Sequence, residues 1–281
     1  MIKYNRIIYK YFIFLSFIFF SSQNILFSYE QIQIEYPDKS SNLSATTTYY
    51  FKGVNSKALI IYFPGGDGKV YRNCNLRFTD PFIKLTEKNS SDSTYDFVCF
   101  NSDKTLDTPG QWDNYHTNSY ILRSDKEHIQ RIESAINYFK SKTNLPIILF
   151  GHSNGGVSVL TTLEYLVREN KVNLINGIIV SETNDRAANK IKNLFFQSKI
   201  NIPSIFILHE KTRCISVNFK NQIAEFDSII QAKKSPAVIL TIQSGGDSTG
   251  NPCYSGYHMF EGAESEVFEK VQTQLNKTKF K

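Results

Sequence analysis

The stretch Leu145–Gly156 limits what this chain can become more than any other. LPIILF, with Pro146 near its start, reads as a short buried strand. GHSNGG follows, and then VSVLTTLEYL, which can run as a helix. Strand, G-x-S-x-G and helix in that order are the setting of a nucleophile elbow. The turn places a serine in a strained backbone region and brings the chain very close to itself. Gly151 and Gly155 remove the Cβ atoms that would collide there. Ser153 then stands at the carboxyl edge of a sheet and at the start of a helix, and the backbone N–H of Asn154 points at an oxyanion formed on an attacked carbonyl.

A serine hydroxyl attacks only when a base takes its proton. Of the five histidines, His258 is best placed. It follows the last expected strand by the loop Gln243–Tyr257, precedes the last helix, and fits the chain order serine, acid, histidine. Gly65 and Gly66 follow the first buried strand, and a glycine loop there lets Gly66, or its immediate neighbour, offer a second N–H to the oxyanion. His152, beside the serine, reads as structural. Trp112, Tyr115 and His116 lie in an expected loop over Asn101–Tyr120 and read as loop packing.

Around these residues the pattern alternates. Gln31–Tyr36 and Thr46–Phe51 read as strands, an antiparallel opening pair with a turn at Asp38–Leu43. Ala58–Phe63, Tyr95–Phe100, the strand before Ser153, Leu174–Val180, Ser204–Leu208 and Ala237–Ile242 read as buried strands. Helices are expected within Tyr71–Ser91, after the capping box Ser124–Glu127 with Ile129, Ile132, Ile136 and Phe139 on one face, after Ser153, and over Asp185–Phe196, Val217–Ile230 and Glu264–Leu275. Strict alternation of this kind means a mainly parallel α/β sheet with helices on both faces. Its ligand site lies at the carboxyl ends of the strands, where Ser153, Gly65–Gly68, Glu182, His209–Cys214 and the Gly245–His258 loop all fall.

At 281 residues and 41% hydrophobic, the chain suits one domain of this class, over residues 29–281. Residues 1–28 are read apart. Lys3, Arg6 and Lys10 precede the apolar run Tyr11–Phe20, and Ser21, Ser22 and Ser28 follow, the order of a secretory signal peptide cut within 21–28. The run is about half of what a membrane span needs, so no stable span is expected once it is removed. That segment holds three of the 32 basic residues and no acidic one, so the formal charge falls from +6 to +3. No basic stripe argues for nucleic acid. Cys74, Cys99, Cys214 and Cys253 form an even set in an exported chain, which suggests disulfides in any of three pairings. None has zinc-site spacing, so neither a metal nor another cofactor is expected. The location implied is outside the cell or in a periplasm.

The elbow GHSNGG, the strand ending IFILHE before Cys214, and the tail GGDSTGNPCYSGYHMFEG together resemble the α/β-hydrolase superfamily. Within it the chain is similar to secreted, largely uncharacterised bacterial serine hydrolases, over roughly Ala58 to Leu275. The resemblance implies Ser153 as nucleophile, His258 as base, and a Cys214–Cys253 disulfide joining the loops of acid and base. It also implies an aspartate shortly before Cys214, and here there is none: the loop reads His209, Glu210, Lys211, Thr212, Arg213. Glu210 is the nearest carboxylate and the first candidate acid, Glu182 the second and Asp247 the third. The short connection between Leu174–Val180 and Ser204–Leu208 leaves no room for a large lid domain. The expected activity is therefore hydrolysis of carboxylic esters in small or peptide-like substrates through an acyl-enzyme. The alternatives are a binding module that has lost its triad, or a peptidase, thioesterase or acyltransferase using the same serine.

Overall fold

A computed structural model of the chain describes residues 29–35, 45–70, 95–102, 121–198, 200–232, 236–246 and 250–280. The expected signal peptide, the Asp38–Leu43 turn, the helix within Tyr71–Ser91, nearly all of the Asn101–Tyr120 loop, Cys74 and Asp247 lie outside these residues.

Eight strands form one sheet: β1 (Tyr29–Ile34), β2 (Thr46–Phe51), β3 (Ala58–Phe63), β4 (Tyr95–Phe100), β5 (Ile147–His152), β6 (Gly177–Ser181), β7 (Ser204–His209) and β8 (Ala237–Ile242). Their spatial order is β1-β2-β4-β3-β5-β6-β7-β8. β1 and β2 pair antiparallel, as do β2 and β4. All other neighbours are parallel. The described α-helices are α1 (Lys126–Lys142), α2 (Asn154–Arg168), α3 (Asp185–Ser198), α4 (Phe219–Gln231) and α5 (Glu264–Lys277).

The continuous apolar strands are explained by two buried faces. Along β3, Leu59, Ile61 and Phe63 enter one core with Ile132, Val157, Ala187 and Phe226, carried by α1 to α4. Ala58, Ile60 and Tyr62 enter the other, with Val267, Val271 and Leu275 of α5. Successive side chains of a strand point to opposite faces, so a strand covered on both sides shows no alternation of polarity. Phe206 of β7 stacks on Phe226 of α4 at 3.8 Å and pins that helix to the sheet.

Several boundaries differ from expectation: β1 runs over Tyr29–Ile34 rather than Gln31–Tyr36, α4 starts at Phe219 rather than Val217, and two further differences have a local cause. The N-cap of α1 is Asp125, which accepts from the Glu127 N–H, while the Ser124 hydroxyl donates to the Ile121 carbonyl. The Ser124–Glu127 box does not close: the Ser124 N–H donates to the Ile121 carbonyl at 3.2 Å, and the Glu127 carboxylate pairs with Arg131 at 2.8 Å. One turn on, His128 and not Ile129 faces the core. The strand expected from Leu174 begins at Gly177, because the Asn176 side chain accepts from the Ile147 N–H and turns the chain into register with β5. Among the described residues, α3 is the only helix between β6 and β7, and no large lid is evident at that junction.

Candidate active site

The elbow follows from three close approaches. Ser153, the N-cap of α2, has φ 53° and ψ −123°, a region that non-glycine residues rarely occupy. A Cβ on Gly151 would lie 2.2 Å from the Gly155 carbonyl oxygen, and one on Gly155 would lie 2.0 Å from that of Phe63. A Cβ on Gly156 would lie 2.5 Å from Thr183 Oγ1, so the second glycine of the pair lets α2 settle on the turn after β6. The Ser153 N–H donates to the Ser181 carbonyl at 2.8 Å, which ties the elbow to the same turn.

That turn carries Glu182, itself at φ 44° and fully buried. β6 is the immediate neighbour of β5, so residues just past the two strand ends face each other. His258 comes from the short 3-10 turn Gly256–Met259, beyond β8. Its Nε2 lies 3.0 Å from Ser153 Oγ and its Nδ1 lies 3.2 Å from Glu182 Oε2. The other carboxylate oxygen accepts from the His209 N–H at 2.6 Å. A buried carboxylate is tolerated only with such donors. With Nδ1–H given to Glu182, Nε2 is left as an acceptor facing the serine hydroxyl.

Glu210, the first carboxylate expected from the sequence, is elsewhere. It is exposed and accepts from Gln243 Nε2 at 2.7 Å. Glu210 follows the fully buried His209 at the end of β7, and successive side chains of a strand point to opposite sides. The His209 Nδ1 accepts from the Lys211 N–H at 3.0 Å, so its Nε2–H donates to the Ser244 carbonyl at 2.8 Å. The imidazole thus staples the loop after β8. The sequence signal for Glu182 was VSET, a carboxylate one residue past a buried strand, but no local pattern ranks it above Glu210.

Cys214 and Cys253 are disulfide-bonded, joining the loop after β7 to the segment that bears His258. Cys99, buried on β4, is also disulfide-bonded. His152 is buried, with Nδ1 3.3 Å from Ser181 Oγ and its ring 5.4 Å from that of His258. Burial, and then the nearby His258, hold it well below the ordinary histidine range, so it is neutral.

The glycine loop abuts Ser153. A Cβ on Gly65 would lie 3.0 Å from Ser153 Cβ and 3.6 Å from its Oγ. Gly66 takes φ 54°, and the Gly68 N–H closes the turn on the Gly65 carbonyl at 3.1 Å. Asn154 opens α2, where a backbone N–H has no acceptor within its own helix. Behind the loop stands Arg123, which sequence reasoning missed. No motif marks it, and its partners lie far away in the chain. Among the described residues, no group of three or more His, Cys, Asp or Glu side chains is arranged to hold a metal ion. No described helix is long and apolar enough to cross a membrane.

The architecture matches several solved structures. A dienelactone hydrolase from Anabaena variabilis superposes with a TM-score of 0.53 at 12% identity, over 88% of this chain and 95% of that one. An α/β serine hydrolase without a lid from Xanthomonas campestris gives 0.53 at 11%, over 89% and 94%. The acylaminoacyl peptidase of Pyrococcus horikoshii gives 0.53 at 13%, over 91% of this chain but only 43% of that one. No protein-family model and no curated protein matches the sequence. At such identities the likeness is one of fold: the chain has the α/β-hydrolase fold.

Proposed function

We propose that this chain, an α/β-hydrolase by fold, is a serine hydrolase that cleaves carboxylic esters of small or peptide-like substrates through an acyl-enzyme on Ser153. The observation that carries the reading is the unbroken line from Ser153 Oγ through the His258 ring to Glu182. His258 Nε2 takes the hydroxyl proton as Oγ attacks the ester carbon, and Glu182 stabilises the imidazolium that forms. The backbone N–H groups of Asn154 and of the Gly66 turn receive the oxyanion. The imidazolium then protonates the departing alcohol. Water, deprotonated by the same ring, releases the acid and restores Ser153. The acid of this triad is Glu182. The Cys214–Cys253 disulfide suits an oxidising compartment, in keeping with the signal-like N-terminus.

A fluorophosphonate probe tests this. Wild-type protein becomes labelled, with the adduct on the peptide containing Ser153. Ser153→Ala takes no label, and His258→Ala is labelled about 10³-fold more slowly or worse, the scale of a lost general base. A folded, oxidised wild type that stays unlabelled while a control hydrolase reacts would leave the binding-module reading in its place. A panel of chromogenic esters, thioesters and peptides then sorts the bond cleaved.

A further inference from the structure

We infer that Arg123 is a positioning residue for the oxyanion loop, its buried guanidinium locking the Gly65–Gly68 turn to the helix that starts at the nucleophile. The inference rests on the serine-hydrolase reading.

Arg123 is 1% exposed, just before α1. Its Nη2 donates to the Gly66 carbonyl at 2.9 Å and to the Pro64 carbonyl at 3.3 Å. Its Nη1 donates to Ser158 Oγ at 2.6 Å, inside α2. The Thr161 hydroxyl, one turn further along that helix, donates to the Arg123 carbonyl at 2.8 Å. The residue is therefore gripped by α2 at both backbone and side chain, and it grips the glycine turn in return.

Its effect on the turn follows from peptide geometry. In a trans peptide the carbonyl and the following N–H point in opposite directions. A guanidinium on the Pro64 and Gly66 carbonyls therefore turns the N–H groups of Gly65 and Asp67 away from itself and fixes both peptide planes. A charged donor on a carbonyl also polarises the amide, which makes its N–H a stronger donor. Gly66 and Gly68, at φ 54° and 72°, are backbone positions with little stiffness of their own. Without a clamp such a turn samples several shapes, and an oxyanion hole works only when its donors are already in place.

The remaining contacts fix the clamp. Ser158 Oγ accepts from Arg123 and also lies 3.0 Å from His128 Nε2. Burial, followed by the charges of Arg123 and Arg131, lowers the His128 pKa to about 3, so the ring beside this anchor is neutral.

The test uses the full oxidised protein and the variants Arg123→Met, Arg123→Lys and Ser158→Ala. Three quantities are read: kcat and KM on an ester that the wild type cleaves, and affinity for an arylboronic acid, which forms a tetrahedral adduct on the nucleophile. Arg123→Met is expected to lower kcat by about 10²-fold, the scale of losing an oxyanion donor, with KM nearly unchanged and boronate affinity falling in parallel. Arg123→Lys keeps the charge but loses the fork, and recovers only a small part. Ser158→Ala loosens one anchor and falls between the Met variant and the wild type. If Arg123→Met does not fold, Arg123→Lys and Ser158→Ala carry the test alone. Folded Arg123→Lys with wild-type kcat and boronate affinity overturns the inference. So does a loss confined to thermal stability. A wild type that neither turns over esters nor takes a fluorophosphonate label overturns the hydrolase reading first, and this inference with it.

Discussion

Two histidine–serine pairs flank the start of α2, and in both a ring nitrogen lies 3.0 Å from the hydroxyl: His258 with Ser153, and His128 with Ser158. What stands behind each ring differs. Behind His258 is the buried carboxylate of Glu182. Around His128 are the guanidiniums of Arg123 and Arg131, which with burial hold the ring neutral down to about pH 3. A base must become a cation when it takes the serine proton. Beside a carboxylate that cation is stabilised, and beside two guanidiniums it is opposed. A short His–Ser contact therefore does not make a nucleophile by itself. The sign of the charge behind the ring decides whether the proton can leave the hydroxyl, and the backbone makes the same choice. Ser153 sits at a strained turn facing the glycine loop, whereas Ser158 is buried within a regular helix.

The largest change expected comes from removing that charge. Glu182→Gln keeps the shape, weakens the hold on the His258 tautomer, and should lower ester turnover on the order of 10⁴-fold, as loss of a triad acid does. Glu210→Gln should leave turnover as it was, since its partner is Gln243 at the surface. Turnover measured side by side for the two variants decides. A large loss in Glu210→Gln with none in Glu182→Gln would move the acid back to the position first read from the sequence.

A second difference is tethering. The loop bearing His258 is held by a disulfide spanning 39 positions of sequence, whereas the serine of the other pair rests on helix packing. Replacing Cys214 and Cys253 together by serine should lower stability to urea by about 3–4 kcal/mol, from the loop entropy returned to the unfolded chain. Activity should fall more steeply with temperature than in the wild type. Equal urea midpoints would show that the bridge adds nothing to the loop.

The smallest effect concerns His128. Its pKa is about 3 in the folded protein, below the ordinary value near 6.5 of the unfolded chain. Between those values the unfolded state binds the extra proton. Its contribution is thus fully present above about pH 6.5 and is lost as pH falls toward 3, at up to about 1.4 kcal/mol per pH unit. His128→Gln should flatten that part of the curve of stability against pH, measured by urea unfolding at a series of pH values. His152, lowered in the same direction, adds to the slope in both proteins and leaves the difference between them to His128. An unchanged slope would mean that burial and the two guanidiniums do not hold the ring neutral.

Strands and elbow could be read from the chain because their causes are local. β2, β3, β4 and β8 run over the residues expected of them, since a short apolar or β-branched run between turn residues has few other uses. The elbow is equally short-ranged, with the clash between Gly151 and Gly155 arising within five residues. The order of elements likewise implied a parallel sheet with its site at the strand ends, and so the neighbourhood of Ser153, His258 and the Gly66 loop. Tertiary structure alone decided which carboxylate meets His258. That choice depends on β6 lying beside β5, on Glu182 adopting a positive φ, and on His209 rather than Glu210 being the buried residue at the end of β7. Arg123 was hidden for the same reason, because its side-chain partners Pro64, Gly66 and Ser158 come from other parts of the chain. Hydrophobic pattern and turn chemistry act over a few residues and leave a trace in the sequence. The pairing of buried charges is settled by where distant strand ends come together, and no local stretch records it.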